Sequence, residues 1–501
     1  MNALRNAPFD LNNTGRVTAS IDPEAAEILF GKIDNSTVEN ELNYIAEIDL
    51  AHLVMMQEAG LISANDATTL VHRISDLQGS GFATIQGVPS PRGAFMLYES
   101  LLIFETGEKI GGMLQAGRSR NDLGATVLRL RLRENLAIFV RNLIDLQKAL
   151  LSKAWECRAI LLPVYTHYQA AQPTSLGHYF SGVAAAFDRD LETISAIFGE
   201  LELCPLGAGA ICGTSFPINP ARTAELLGFK ATSSHSIEAI ASRDVVLRLL
   251  AALGVTATTL SRLSHDLQLW TTAEFGFFHI PDEMVGISSM MPQKRNVYVL
   301  ENIKGMCAVP LGAFSSAAMA QHFTPFSNSI AVGTESVKPV WGALKQLADA
   351  VKLTRLIVDL AAPIEENMDA RLDKGQTGAT ALAEWVVQRF NLPFRQVHHE
   401  VGRMVREVLV GNDDNLLVAM QRLHPEWVVN DGPPDLSPEA IVKSLAYGAG
   451  PSPEISQSEI SRLSKNTERH REHLMEKRSR WASASKALRG IAGALVRPES
   501  A

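Results

Sequence analysis

A chain of 501 residues has room for about two to four domains of ~100–200 residues and for a large apolar core. Hydrophobic residues make up 46% of it but aromatic ones only 6%, which suits a core of Leu, Ala, Val and Ile on helices. The formal net charge of −8 argues against nucleic acid or an anionic membrane as the main partner. Cys157, Cys204, Cys212 and Cys307 show no metal-ligand spacing and read as reduced thiols of a cytosolic protein.

In chain order, "MNALRNAPFDLNN" lacks the apolar stretch of a signal peptide, and no run of ~18 apolar residues predicts a membrane span. Residues 92–162 hold no proline, and within them 121–156 read as one long helix. Its stripe is Leu128, Leu132, Leu136, Phe139, Leu143, Leu146 and Leu150, at three- and four-residue steps. A short strand-like run, "LLPVYTHYQ" (161–169), follows, and the Gly- and Pro-rich 204–220 must be irregular. A second long helix is predicted over 237–275, with Val245, Leu249, Leu253, Leu260, Leu263 and Leu267 as its stripe. The polar "ISSMMPQKRN" (287–296) cannot settle into helix or strand, because Pro292 lacks a donor and restricts its neighbour. A third helix starts after it on Val297, Leu300, Ile303 and Met306, and a fourth covers about 335–361. Loops at 412–415 and 430–438 mark a smaller C-terminal part, and the last 45 residues predict a basic amphipathic helix. Helices this long normally pack as a bundle, so the fold class is mainly α.

Four polar segments interrupt the helical text: "AGRSRNDLG" (116–124), "YTHYQAAQPTS" (165–175), "GAGAICGTS" (207–215) and the 287–296 loop. Each has an ordinary structural explanation. Arg118 and Arg120 could complement Asp122, His167 could be a hydrogen-bonded core histidine, and the glycines could serve close backbone approach. Glu301 could be an exposed charge on a helix. Together they form a set with a chemistry. Ser119, Arg120, Asn121, Lys294 and Asn296 are donors suited to carboxylates, and His167 is a candidate acid or base. Ser288 and Ser289 sit on a loop able to close over a ligand. The set fits chemistry on a small dicarboxylate.

"SSMMPQKRN" resembles the GSSxMPxKxN signature of the fumarase/aspartase superfamily, and "GRSRND" with "THYQAAQP" resembles argininosuccinate lyase within it. The likeness runs nearly end to end, from "TGRVTASIDPEAAEIL" through "LGAGAICGTSFPINPARTAELLGF" and "IASRDVVL" to "GATALAEWVVQRFNLPFRQVHHEVGRMV". It implies a three-domain subunit divided near 1–117, 118–367 and 368–501, whose long central helices form the helical core of a homotetramer. It also implies active sites each built from three subunits, one contributing each main motif, and an anti elimination that splits a C–N bond, leaving fumarate, with no metal or organic cofactor. By the same resemblance Ser288 is the base, while Lys294 and Asn296 hold the charge that develops on the carboxylate. Ser119, Arg120, Asn121 and Arg243 orient substrate, with Thr166 and Ser289 adding hydrogen bonds. His167 pairs with Glu301 and helps protonate the leaving nitrogen.

Elsewhere the family pattern is not kept. An EDIH-type motif is replaced by Gly93, Ala94, Phe95 and Met96, and the NPD after the lysine reads Asn296, Val297, Tyr298. Where the family supplies Tyr, Gln, Asp and Lys around the arginine part of its substrate, this chain has Asn328, Gly333, Glu335 and Ser336. The fumarate half is kept and the amine half rewritten. Argininosuccinate is the expected substrate, with another N-substituted aspartate, as in ethylenediaminedisuccinate lyase, or a silent crystallin-like structural homologue as alternatives. The expected setting is the cytoplasm, with neither nucleic acid nor membrane as partner.

Overall fold

The computed structural model describes residues 16–496 apart from 18 and 431. The N-terminal segment 1–15, Thr18 of the first quoted motif, Asp431 of the 430–438 loop and the last five residues lie outside the described residues.

Three helices, α1 (Asn43–Glu58), α2 (Ala64–Gly79) and α3 (Ala94–Thr106), enclose a first apolar core around Leu53, Met55, Ile74 and Tyr98. Next comes α4 (Arg120–Glu156), whose seven-residue predicted stripe is buried throughout. A capping box fixes its start: the Ser119 hydroxyl accepts from the first turn while Asp122 accepts from the Ser119 N–H. A hairpin follows, β1 (Leu161–Thr166) and β2 (Gln169–Ser175), and then α5 (Leu176–Glu200).

The helix expected over 237–275 is two helices, Ser236–Ala241 and α6 (Asp244–Trp270). Ser242 is extended at the break, and its hydroxyl bonds Asp244, so a new helix start interrupts the periodicity. The short strands β3 (Gly286–Ile287) and β4 (Arg295–Asn296) pair antiparallel and hold the polar loop between them. Beyond them come α7 (Tyr298–Gln321), α8 (Lys338–Leu360), α9 (Ala379–Phe390), α10 (Phe394–Leu409), α11 (Leu416–Leu423) and α12 (Pro453–Val496).

Helices α4 to α8 pack side by side as a bundle with one continuous apolar core, and α9 to α11 enclose a separate small core around Val386, Val401 and Met420. The basic terminal stretch is not a free tail. As α12 it lies along α4 and α5 and reaches α1 and α2. It is held by Asn466 to Asp188 (2.8 Å), by Thr467 to Gln147 (2.9 Å), and by Lys477 and Arg480 to Glu202.

By length and composition α6 and α7 could each cross a membrane, with mean hydropathies of 1.4 and 1.3. Most apolar positions of α6 are covered by the bundle. Those of α7 are not: Leu311 is 52% and Met319 77% exposed, with Val309 and Phe314 beside them. Contiguous apolar surface left bare on one helix is the mark of an interaction face.

Candidate active site

Ser119, Arg120 and Asn121 stand together at the start of α4. Arg120 lines a cavity of about 510 Å³ with Gly124, Val127, Leu128 and Arg131, one face of α4 at helical spacing. Asn121 donates to the Ala210 carbonyl (2.9 Å) and accepts from the Asn328 amide (2.9 Å), so the glycine-rich loop and the 324–336 segment both meet this motif.

Asp122 organises that meeting. Its buried carboxylate accepts from Ser119 N (2.8 Å), Leu123 N (3.0 Å), Gly207 N (3.0 Å) and Gly209 N (2.9 Å). Burial pushes its carboxyl above the ordinary value, against the pull of those N–H groups. Gly209 must be glycine: its φ is +62° and a Cβ would stand 2.4 Å from the Gly213 carbonyl oxygen. Below the motif, Arg118 forms a fully buried ion pair with Asp49 at 2.6 Å, which fixes the approach to α4.

His167 sits at the tip of the β1–β2 hairpin. Thr166 pairs with Gln169, leaving His167 and Tyr168 as the two turn residues at φ +51° and +61°. Hairpins with both central residues left-handed favour Asn and Gly, so a His-Tyr pair there is strained. His167 lines a second cavity, of about 570 Å³, whose wall includes Arg262, His265, Asp266 and Lys304. It makes no hydrogen bond to Glu301, which instead accepts from Gln268 (3.4 Å), the residue that also takes the Lys304 ammonium.

The loop between β3 and β4 presents the remaining residues. Ser288 Oγ accepts from Met291 N (3.0 Å) and Met290 N (3.4 Å). Ser289, Lys294 and most of their neighbours are exposed, Ile287 by 91% and Met290 by 87%. Among the described residues the Lys294 ammonium has no partner; Asn296 is half-buried in β4 opposite Gly286. Arg243 lies inside, donating to the carbonyls of Ile240 (3.0 Å) and Ser242 (2.6 Å), and reaches neither cavity. Burial, with Arg129 beside it, lowers its guanidinium to about 10.

These groups occupy opposite ends of the bundle. Helix α4 has 37 residues between Arg120 and the segment that leads into the hairpin. At 1.5 Å per residue it is about 55 Å long. Helix α7 makes the return trip: Lys304, in its second turn, faces His167, while Asn328, just past its C-terminus, touches Asn121. One chain therefore keeps Ser119, Arg120 and Asn121 tens of ångströms from its hairpin histidine.

Several site residues escape sequence reading. Arg131 and Trp341 belong to the Arg120 cavity, and Lys304 and His265 to the His167 cavity. The signal for Arg131 was present, eleven residues beyond Arg120 and so on the same helix face. Trp341 and His265 reach their cavities through packing alone.

The family model described as "Lyase" matches residues 97–312, and that described as "Argininosuccinate lyase C-terminal" matches 376–443. Argininosuccinate lyase 1 of Shouchella clausii (strain KSM-K16) is 33% identical over 79% of this chain and 79% of its own. The argininosuccinate lyase of Methanosarcina acetivorans is 32% identical over 88% of this chain and 90% of its own. Among solved structures, EDDS lyase in complex with formate superposes with a TM-score of 0.83, covering 97% of this chain and 98% of that one at 24% identity. Class II fumarase from Schistosoma mansoni gives 0.66 at 18% identity, covering 76% and 86%. The chain belongs to the argininosuccinate lyase family of the fumarase/aspartase superfamily.

Proposed function

We propose that this chain is a carbon–nitrogen lyase that splits argininosuccinate into arginine and fumarate by anti elimination. The proton to be removed lies beside a carboxylate, which is already anionic, so the intermediate needs preorganised cations and donors. Lys294 and Asn296 are assigned to that charge, and Ser119, Arg120 and Asn121 to the substrate carboxylates, with Thr166 and Ser289 adding hydrogen bonds; Arg243, turned inward onto carbonyls, is given no part. Ser288 is assigned as base and His167 as the group that protonates the leaving nitrogen; within one chain Glu301 is held by Gln268 and not by His167.

The observation that carries this reading is the setting of Ser288 Oγ, which accepts two backbone N–H groups of its own loop. A serine is a poor base unless its alkoxide is stabilised, and two backbone donors of its own loop are the kind of support that such an alkoxide needs.

The division of the groups between the ends of α4 supports a homotetramer with shared sites: antiparallel packing of further copies sets one chain's Arg120 end against the His167 and Ser288 ends of others. The bare apolar face of α7 is the natural seam for that packing, which gives a water-soluble cytoplasmic enzyme rather than a membrane protein. The three-domain division at 117 and 367 belongs to the same reading. The substrate alternative is another N-substituted aspartate, favoured by the changes at Gly333 and Ser336.

Ultraviolet absorbance of released fumarate tests the function. Argininosuccinate should be cleaved, and Ser288→Ala should lose about 10²–10⁴ in kcat while keeping its helical signal. A variant retaining more than about a tenth of wild-type kcat would remove Ser288 from the role of base. A wild-type chain inert on argininosuccinate and on other N-substituted aspartates would favour a silent structural homologue.

A further inference from the structure

Where α12 packs on α5, two acids and a histidine converge away from the groups described above. Asp188 and Glu192 lie four residues apart on one face of α5, and His470 of α12 meets them from across the helix–helix contact. One oxygen or nitrogen atom from each side chain lies within 4.8 Å of the other two. None of the three lines either large cavity. Gln147, which donates to Asp188, lies well over half the length of α4 beyond Arg120, about 40 Å along the helix.

Asp188 is the centre of the group. Its buried carboxylate accepts from Gln147 Nε2 (3.3 Å) and Asn466 Nδ2 (2.8 Å), and Nε2 of His470 stands 3.2 Å from its Oδ1. Thr467 in turn donates to Gln147 Oε1 (2.9 Å), which fixes that amide's orientation. Two amides and an imidazole carry no permanent charge, and among the described residues no Lys or Arg pairs with Asp188. The cations nearby are engaged elsewhere. Arg462 holds Glu459 through two hydrogen bonds (2.8 and 2.7 Å), and Arg469 reaches Glu192 at 3.3 Å. A buried carboxylate is stable when it is paired with a charge or coordinates a metal, and here the first is missing.

We propose that Asp188, Glu192 and His470 bind a divalent transition-metal ion, zinc by their ligand chemistry, which fastens the terminal helix to the bundle. Two carboxylates and an imidazole, with water in a fourth position, suit tetrahedral zinc. Ligand atoms around such an ion stand about 3.4 Å apart, so the group closes by up to about 1.4 Å. Glu192 makes most of that movement: it is exposed, and an exposed pair such as Glu192–Arg469 is given up easily. His470 exchanges its contact with Asp188 for the metal. Asn466 and Gln147 keep the Asp188 carboxylate in place from behind, as outer partners of metal ligands do. The ion stands far from Arg120 and has no part in the elimination.

The test uses the full-length assembled protein, stripped with a chelator and titrated with Zn2+ by calorimetry at neutral pH. One ion per chain should bind with a Kd of about 1 µM or below. Glu192→Gln, at an exposed position, should weaken binding at least about tenfold, and His470→Gln at least as much. Arg469→Ala, which releases Glu192, should bind at least as tightly as the wild type. Saturating Zn2+ should raise the Tm of the wild type and leave that of Glu192→Gln where it was, with both proteins equally helical. These readouts do not depend on lyase activity. Absence of stoichiometric binding, or an affinity and a Tm shift that Glu192→Gln leaves unchanged, would overturn the inference, and so would loss of binding in Arg469→Ala.

Discussion

Replacing Asp122 by Asn would test how the Arg120 end of the bundle is built. The substitution keeps one carbonyl oxygen, enough for the N–H groups of Ser119 and Leu123 at 2.8 and 3.0 Å. The other oxygen becomes an NH2 group facing the N–H donors of Gly207 and Gly209, which now sit at 3.0 and 2.9 Å from an acceptor. Two hydrogen bonds to a charged group, each about 1.5–3 kcal/mol, are replaced by donor–donor contacts. Relief of a buried charge offsets part of this, leaving a local loss of about 3 kcal/mol. Amide hydrogen exchange reads the loss where it occurs: Gly207 and Gly209 should exchange roughly 10²-fold faster, while the α4 interior is unchanged. Because Asn121 is tied to the same loop through Ala210, KM should rise more than kcat falls. Unchanged exchange at both glycines would refute the idea that Asp122 joins the two loops.

The remaining expectations concern acid stability and assembly. His52 is buried against the Ala116 carbonyl (3.0 Å), and desolvation lowers it to about 3, so it is neutral in the fold. Its contribution is complete above the unfolded value of about 6.5 and is lost by up to about 1.4 kcal/mol per pH unit as pH falls toward 3. His52→Gln, which keeps a donor, should flatten the fall in urea midpoint between about pH 6 and 4; parallel curves would contradict this. Leu311→Glu places a charge on the bare face of α7 and should yield smaller, inactive, still helical particles by light scattering. An active variant of unchanged mass would move the seam elsewhere.

Helical periodicity made the bundle legible because α4 and α6 bury the leucines that their stripes mark. It ran across the break at Ser242–Arg243, since a new cap stops a helix without disturbing the apolar spacing. Arg120, His167 and Ser288 were legible as motifs, but their separation was not, because it depends on the direction of each long helix. Arg243 read as a substrate-region cation and folds inward onto carbonyls, a choice made by packing. The basic terminal stretch likewise showed its charge in the sequence but not its partners Asp188, Gln147 and Glu202, which lie hundreds of residues away.

Complementation tests the shared active site most directly. Arg120→Ala and Ser288→Ala chains, each inactive alone, are unfolded together, refolded and assayed for fumarate release from argininosuccinate. If Arg120 and Ser288 of one site come from different chains, random assortment of an equal mixture leaves about a quarter of the sites with neither lesion, and activity returns to about a quarter of wild type. Tetramers shown by mass to be mixed, yet as inactive as the separate variants, would contradict the shared-site account.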